Sequence, residues 1–306
     1  MNTRPGHPLP VVLERLSDAS VERHFDAYRD VDWPASGRLD PTDERWRLGA
    51  HEPLAATGWY RDRPGPERAA IGLERTVGML KVGWQFENVL QRGLLRRGLW
   101  LADDDPALRY IAHEVAEESQ HTLMFQEFIR RAPVPADGMP PAVLVPGERM
   151  VTRIARAFPE LFFVFVLAGE EPADYYQRQL LRDEAGHPLL REIMRIHVAE
   201  ESRHLSFARA SLIERAGSLS RHRRQLLALR APMVIGMLAR LMLRPSRAFA
   251  ERHHLPRSVL AKAYGSPAGR AQLRDSLART RGLMLELDLV TPAARRVWMA
   301  NHIWAD

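Results

Sequence analysis

Apolar residues recur along most of this chain every three or four positions, the spacing of long helices, and strand-like alternation is nearly absent. From Pro66 onward the recurrence predicts five long segments. The first runs from about Glu67 to Trp100. The second, to about Arg131, starts at Pro106 behind the acidic run Asp103-Asp104-Asp105, which together make a helix-start signal. The link from Ala132 to Pro146 is proline-rich and should break the helix. The third runs from about Glu148 to Arg182, with Pro159 and Pro172 as kinks or boundaries. The fourth spans about Pro188 to Ala216 and the fifth Ser220 to Leu243. Shorter helices should follow from Ser246. Residues 1–65 carry no sustained period and read as one short helix near Ala19 to Tyr28 and then an irregular arm, which Trp33, Trp46 and Trp59 should pack onto the helices. The prediction is an all-α, long-helix bundle forming a single domain: arm 1–65, core 66–245, C-terminal helices 246–306.

The stripes become informative where they fail. Segment two buries Leu108, Ile111, Val115, Thr122, Phe125 and Ile129, and Glu118 falls in the middle of that face, with His121 one turn along. Segment four runs Leu190, Ile193, Met194, then Ala208 and Leu212, with His197, Glu201 and His204 between. Steps of four and seven residues keep these three on one face, about 40° past one turn and about 20° short of two. Arg191, Arg195 and Arg203 are assigned to its solvent face. Segment one carries Glu87 in the stripe Leu73, Val77, Leu80, Trp84, Leu90, Leu94. Segment three runs from Phe162 to Gly169 straight into Glu170-Glu171. The Glu170 face continues through Ala173, Gln177 and Leu181 and the Glu171 face to Arg178 and Arg182; Glu170 is preferred as the inward acid.

A buried carboxylate is costly unless a cation or hydrogen bond compensates it. One Glu-x-x-His on a helix is weak evidence, since such pairs are common on solvated faces. Here the order is Glu, Glu-x-x-His, Glu, Glu-x-x-His, each on its own helix, which is the constellation of ferritin-like dinuclear carboxylate bundles. Two cations need bridging anions and several oxygen donors. The expected ligands are Glu87, Glu118, His121, Glu170, Glu201 and His204, with His197 as a further nitrogen donor. Glu114, Glu117, Glu127 and Glu200 are read as surface groups or as supports for the ligands, with Asp174–Arg178 as a supporting i,i+4 pair. Phe162–Phe165 reads as core, Met233, Met237 and Met242 as packing, and His113, His253 and His254 as surface or loop residues.

Composition narrows the chemistry. The 306 residues include no cysteine, which excludes disulfides, thiolate metal sites and cysteine nucleophiles. A metal must be held by His, Asp and Glu, a donor set suited to iron or manganese. The net charge of +6 comes almost wholly from scattered arginines, so a nucleic-acid role rests on charge alone. Met1 to Pro10 shows no secretory h-region. The greasiest stretch, Pro232–Leu243, is shorter than a membrane span and contains Arg240. A soluble, cytoplasmic chain with no membrane partner is expected.

The set Glu87, Glu118, His121, Glu170, His197, Glu201 and His204 resembles the p-aminobenzoate N-oxygenase family of di-iron proteins, and His197-x-x-x-Glu201-x-x-His204 is its most specific mark. The blocks 86–90, 113–122 and 170–178, and the lead-ins 31–33 and 53–60, are similar to that family as well, so the resemblance covers roughly residues 30 to 215. It implies two iron ions, or a manganese–iron pair, that activate O2 and oxygenate an arylamine nitrogen through the hydroxylamine towards the nitro compound. It also implies a homodimer, an external electron donor and a small arylamine-like substrate. The competing readings are a di-iron oxidase or desaturase of another substrate class, and a non-catalytic iron-handling protein.

Overall fold

The computed structural model describes residues 8–35 and 37–304, and among these every regular element is helical. The helices are α1 (Leu9–Glu22), the single turn α2 (Gly58–Arg61), α3 (Gly65–Gly98), α4 (Pro106–Arg131), α5 (Pro141–Ala157), α6 (Pro159–Arg182), α7 (Pro188–Gly217), α8 (Arg221–Leu243), α9 (Arg247–Arg252), α10 (Arg257–Gly265), α11 (Pro267–Ser276), α12 (Ala278–Glu286) and α13 (Pro292–Ala300). Proline stands in the first turn of α3, α4, α5, α6 and α7. There it has no helical hydrogen bond to lose and its φ is already set. Asp105 caps α4 by accepting a bond from the Ala107 N–H, 2.9 Å away.

The long helices form the bundle. α3 packs against α4 and α5, α6 against α7 and α8, and α1 lies across α4 and α7. Their apolar faces divide into two clusters. One contains Leu90, Leu94, Tyr110, Ile111, Phe162, Phe163, Phe207 and Leu212. The other contains Leu73, Val77, Leu80, Phe125, Phe128, Ile193 and Met194. On α3, α4 and α7 the residues between the clusters are the acids and histidines that interrupted the sequence stripes. The bundle is thus cut across by a buried polar layer.

The arm and the tail meet on this bundle. Trp46 is buried and its ring stacks on His187 at 3.9 Å. Gly72 of α3 lets the arm approach: a Cβ there would run into the backbone carbonyl of Trp46. Buried Arg75 donates to Glu52 of the arm at 3.2 Å and to the Leu243 carbonyl at 2.6 Å, and Tyr264 of α10 donates to the same Glu52. One buried ion pair therefore ties arm, bundle and tail together.

Several expectations change. The first helix lies at Leu9–Glu22 rather than 19–28, with Pro10 in its first turn. Segment three is two helices, and α5 begins inside the link that was expected to be irregular, with Pro141 as its start and Pro146 within it. Pro159 is a boundary, whereas Pro172 is accommodated inside α6. Met233 and Met237 are 57% and 43% exposed, so only Met242 packs. His253 is no free loop residue, since its Nε2 lies 2.8 Å from Glu74. The stretch 221–252 does meet the length and mean hydropathy of a membrane span; 56% of its apolar window is buried within the protein, as a core helix would be. Residues 1–7, on which most of the N-terminal leader expectation falls, lie outside the described residues.

Candidate metal centre

All seven sequence-predicted residues are nearly or fully buried, and they converge. From α4, Glu118 Oε2 lies 3.2 Å from His121 Nδ1. From α7, Glu201 Oε1 lies 3.1 Å from His204 Nδ1. Glu118 and Glu201 also reach the other helix's histidine: Glu118 Oε1 is 3.3 Å from His204 Nδ1 and Glu201 Oε1 is 3.6 Å from His121 Nδ1. Each of these carboxylates thus approaches both histidines. His197 Nε2 is 3.1 Å from Glu87 Oε1 and 3.8 Å from Glu201 Oε1. Donor atoms of Glu87, His121 and His197 lie within 4.8 Å of one another, as do those of Glu118, His121 and Glu201. Glu170 shares a cavity wall with Glu87 and His197. Glu171 turns away and is held by Arg209 and by the Thr280 hydroxyl and N–H of α12. The geometry accordingly favours Glu170 over Glu171 as the inward acid.

The residues fit a pair of cations. Glu87 Oε2, Glu170 Oε1 and Glu201 Oε2 are buried and have no hydrogen-bond partner in the protein. Orphaned carboxylate oxygens at such depth are tolerated where a metal coordinates them. Both Nδ1 atoms of His121 and His204 face the carboxylates, and both Nε2 atoms are held from outside the cluster.

Those outer contacts were not assigned from sequence. His121 Nε2 lies 2.9 Å from Glu200 Oε2 of α7, and His204 Nε2 lies 2.8 Å from Glu117 Oε2 of α4. Each helix reads Glu-Glu-x-x-His, and the first Glu of each grips the histidine of the other. Arg203, expected on the solvent face, is buried. It donates to Glu117 at 2.7 Å and lies 3.5 Å from Glu200, so it joins both grips. Glu117 and Glu200 are thus supports and not surface groups; Glu127 is paired with Arg130 and Arg131 elsewhere. Asp174–Arg178 forms as expected at 2.8 Å. The missed signal was the doubled glutamate: the residue before each ligand acid sits about 100° around the helix, where a neighbouring helix can reach it.

Burial works against charge throughout the layer. The carboxylates overcome it at His121 and His204: Glu118 and Glu200 around the first, and Glu201, Glu114 and Glu117 around the second, push both imidazoles well above their usual range. Against burial, His121 and His204 hold Glu118 low, His204 and His197 hold Glu201 low, and His204 and Arg203 bring Glu117 down to about 2. Glu87, Glu170 and Glu114 go the other way, raised by burial and then by neighbouring carboxylates. A layer with this much unbalanced negative charge is one that cations stabilise.

A helical bundle crossed by a buried layer of carboxylates and imidazoles belongs to the class of dinuclear carboxylate proteins. Within that class the chain belongs to the P-aminobenzoate N-oxygenase AurF family, whose profile matches residues 9–288. An uncharacterized protein of Mycobacterium tuberculosis (strain ATCC 25618 / H37Rv) is 38% identical to it over 290 residues, 94% of this chain and 85% of that protein. An uncharacterized protein of Mycobacterium bovis (strain ATCC BAA-935 / AF2122/97) gives the same figures. No solved structure matches the chain.

Proposed function

We propose that this protein is a non-haem di-iron oxygenase that uses O2 to oxygenate the nitrogen of an amine, most simply an arylamine. The observation that carries the reading is the buried pair of carboxylates, Glu118 and Glu201, each within 3.6 Å of both His121 and His204, with His197 beside Glu87. Family membership supports it. The proposed ligands are Glu87, Glu118, His121, Glu170, His197, Glu201 and His204. Two iron ions, or a manganese–iron pair, bound there would supply the electrons that reduce O2. In the first step an amine, O2, two electrons and two protons give a hydroxylamine and water, so an external electron donor is part of the proposal. The chain's own residues fix the geometry: Glu200 and Glu117 orient His121 and His204, and two apolar clusters keep bulk water from the layer.

A single domain working as a homodimer in the cytoplasm is part of the same proposal. Leu229, Met233 and Met237, spaced four apart on α8, are exposed apolar residues suited to a subunit face; light scattering tests this. To test the chemistry, the protein is loaded anaerobically with ferrous iron and given O2, reductant and an arylamine. O2 uptake with hydroxylamine or nitro product by mass spectrometry is expected. Loaded protein that consumes no O2 refutes the oxygenase. Uptake with acyl substrates in place of arylamines would move it to the oxidases and desaturases.

A further inference from the structure

A cavity of about 50 Å3 reaches the site, its inner wall formed by Glu87, Glu170 and His197. The rest of its wall is mainly apolar, including Leu80, Phe86, Phe125, Met79, Met194 and Met242, and none of its residues is an arginine or a lysine. Arg75 lies just behind, but its guanidinium is committed to Glu52 and to the Leu243 carbonyl. Thr76 spends its hydroxyl on the Gly72 carbonyl. Gln177 differs: it is 8% exposed, lines the cavity two turns along α6 from Glu170, and its Oε1 is buried with no partner. An unpaired amide oxygen in an apolar wall is either a loss of stability or a recognition group.

Resting on the oxygenase reading, we propose that this cavity takes an uncharged, largely apolar amine bearing one hydrogen-bonding group read by Gln177, and that it rejects a substrate carrying a carboxylate. The argument is electrostatic. A carboxylate placed in the apolar part of this wall, beside Gln177, would lose its water and meet no arginine or lysine; the ionisable groups of the lining, Glu87, Glu170 and His197, are the proposed metal ligands at the inner end. A neutral amide or hydroxyl would instead satisfy Gln177, and a site with a buried polar group discriminates strongly for a ligand that pairs with it. The space is smaller than the roughly 150 Å3 that benzene fills in an apolar cavity. Met79, Met194 and Met242 are the unbranched, adaptable part of the wall that must give way. Beyond Met79 and Met242 a more open hollow gathers Arg240, Arg244 and Arg247. That hollow, lined also by Glu74 and Asp137, offers an acid group the cations the cavity lacks, so it defines the opposite outcome.

The test is equilibrium binding by calorimetry to the full chain, its metal content counted, with three probes of one shape: 4-aminobenzamide, p-toluidine and 4-aminobenzoate. The expected order puts the amide first and the benzoate roughly tenfold or more weaker than the amide. Gln177→Leu, close in volume, should weaken the amide by roughly tenfold and leave p-toluidine unchanged. Benzoate binding as tightly as the amide overturns the inference and moves recognition to the arginine-lined hollow. Failure of all three probes to bind, or indifference of the amide to Gln177→Leu, overturns it as well. No turnover is read, so the two claims separate. Protein that ranks the probes as expected but consumes no O2 loses the oxygenase reading alone, and protein that turns over yet prefers the benzoate loses this inference alone.

Discussion

Arg203→Met tests whether the site is held from outside. The side chain is 7% exposed and serves two buried carboxylates, with a third contact 3.3 Å away at the Arg23 carbonyl. Methionine keeps the stem and removes the guanidinium, leaving Glu117 and Glu200 with their histidine contacts. Breaking a buried ion pair from one side costs about 3–5 kcal/mol. For 306 residues the entropy of unfolding at the midpoint is roughly 0.6 kcal/mol/K, so the midpoint should fall by about 5–8 °C. His121 and His204 lose part of their orientation at the same time, and a lost supporting contact weakens metal binding by about 10- to 100-fold. The assays are calorimetric melting and metal analysis after dialysis against a weak chelator. A variant that melts with the parent and retains its full metal complement would show that the two grips are self-supporting and the reasoning wrong. Arg203→Lys should recover part of the loss, because a point charge pairs with one carboxylate but does not fork to two.

Three further outcomes follow from the same contacts. With metal removed by chelator, His121 and His204 have raised pKa values in the folded state, so their contribution is complete below the unfolded value near 6.5 and is lost as pH rises above it. The metal-free protein should therefore melt lower at pH 8.5 than at pH 6, while metal affinity moves the opposite way because ligation needs neutral imidazole; parallel trends in melting and metal titrations would sink this. Glu117, depressed to about 2, adds the acid limb: its contribution stands above the unfolded value and is lost as pH falls through the window from about 4.5 to 2. Glu170→Ala should lose bound metal, whereas Glu171→Ala should keep it and lose stability by freeing α12 from α6, and metal counts that reverse this order would exchange the two roles. Gly72→Ala should lower the midpoint by a few degrees, an overpacking cost of about 1–3 kcal/mol, because it pushes the Trp46 backbone off α3; an unchanged midpoint would mean that the arm yields freely.

The core of the site was legible because its residues break a pattern. Glu87, Glu118 and the His197–Glu201–His204 face stand in stripes that are otherwise apolar, and a stripe says which side of a helix is inside before any neighbour is known. Glu117, Glu200 and Arg203 were not legible in that way. Each sits at the edge of its stripe, where the sequence is ambiguous between flank and interior, and only the packing of α4 against α7 resolves it. Proline misled at Pro141 for a related reason: the same ring that breaks a helix in its middle opens one at its first turn. The fate of the tail depended on single long-range partners, Thr280 on Glu171 and Tyr264 on Glu52, which leave no periodic trace.

The doubled motif gives the centre a direction. Counting back from His121 and His204, α4 and α7 match at three and four residues, with Glu118 and Glu201 followed by Glu117 and Glu200. At seven residues they part: α7 has His197 and α4 has Glu114, fully buried, with both carboxyl oxygens unpaired. Two otherwise matched helices thus differ by the exchange of a histidine for a glutamate, and of the two only His197 is among the proposed ligands. The nitrogen-richer half, with His197 and Glu87, is also the half that the cavity reaches. A bound pair of ions would therefore be unequal in hardness, in preferred metal and in ease of oxidation, and a molecule arriving through the cavity would always meet the same member first.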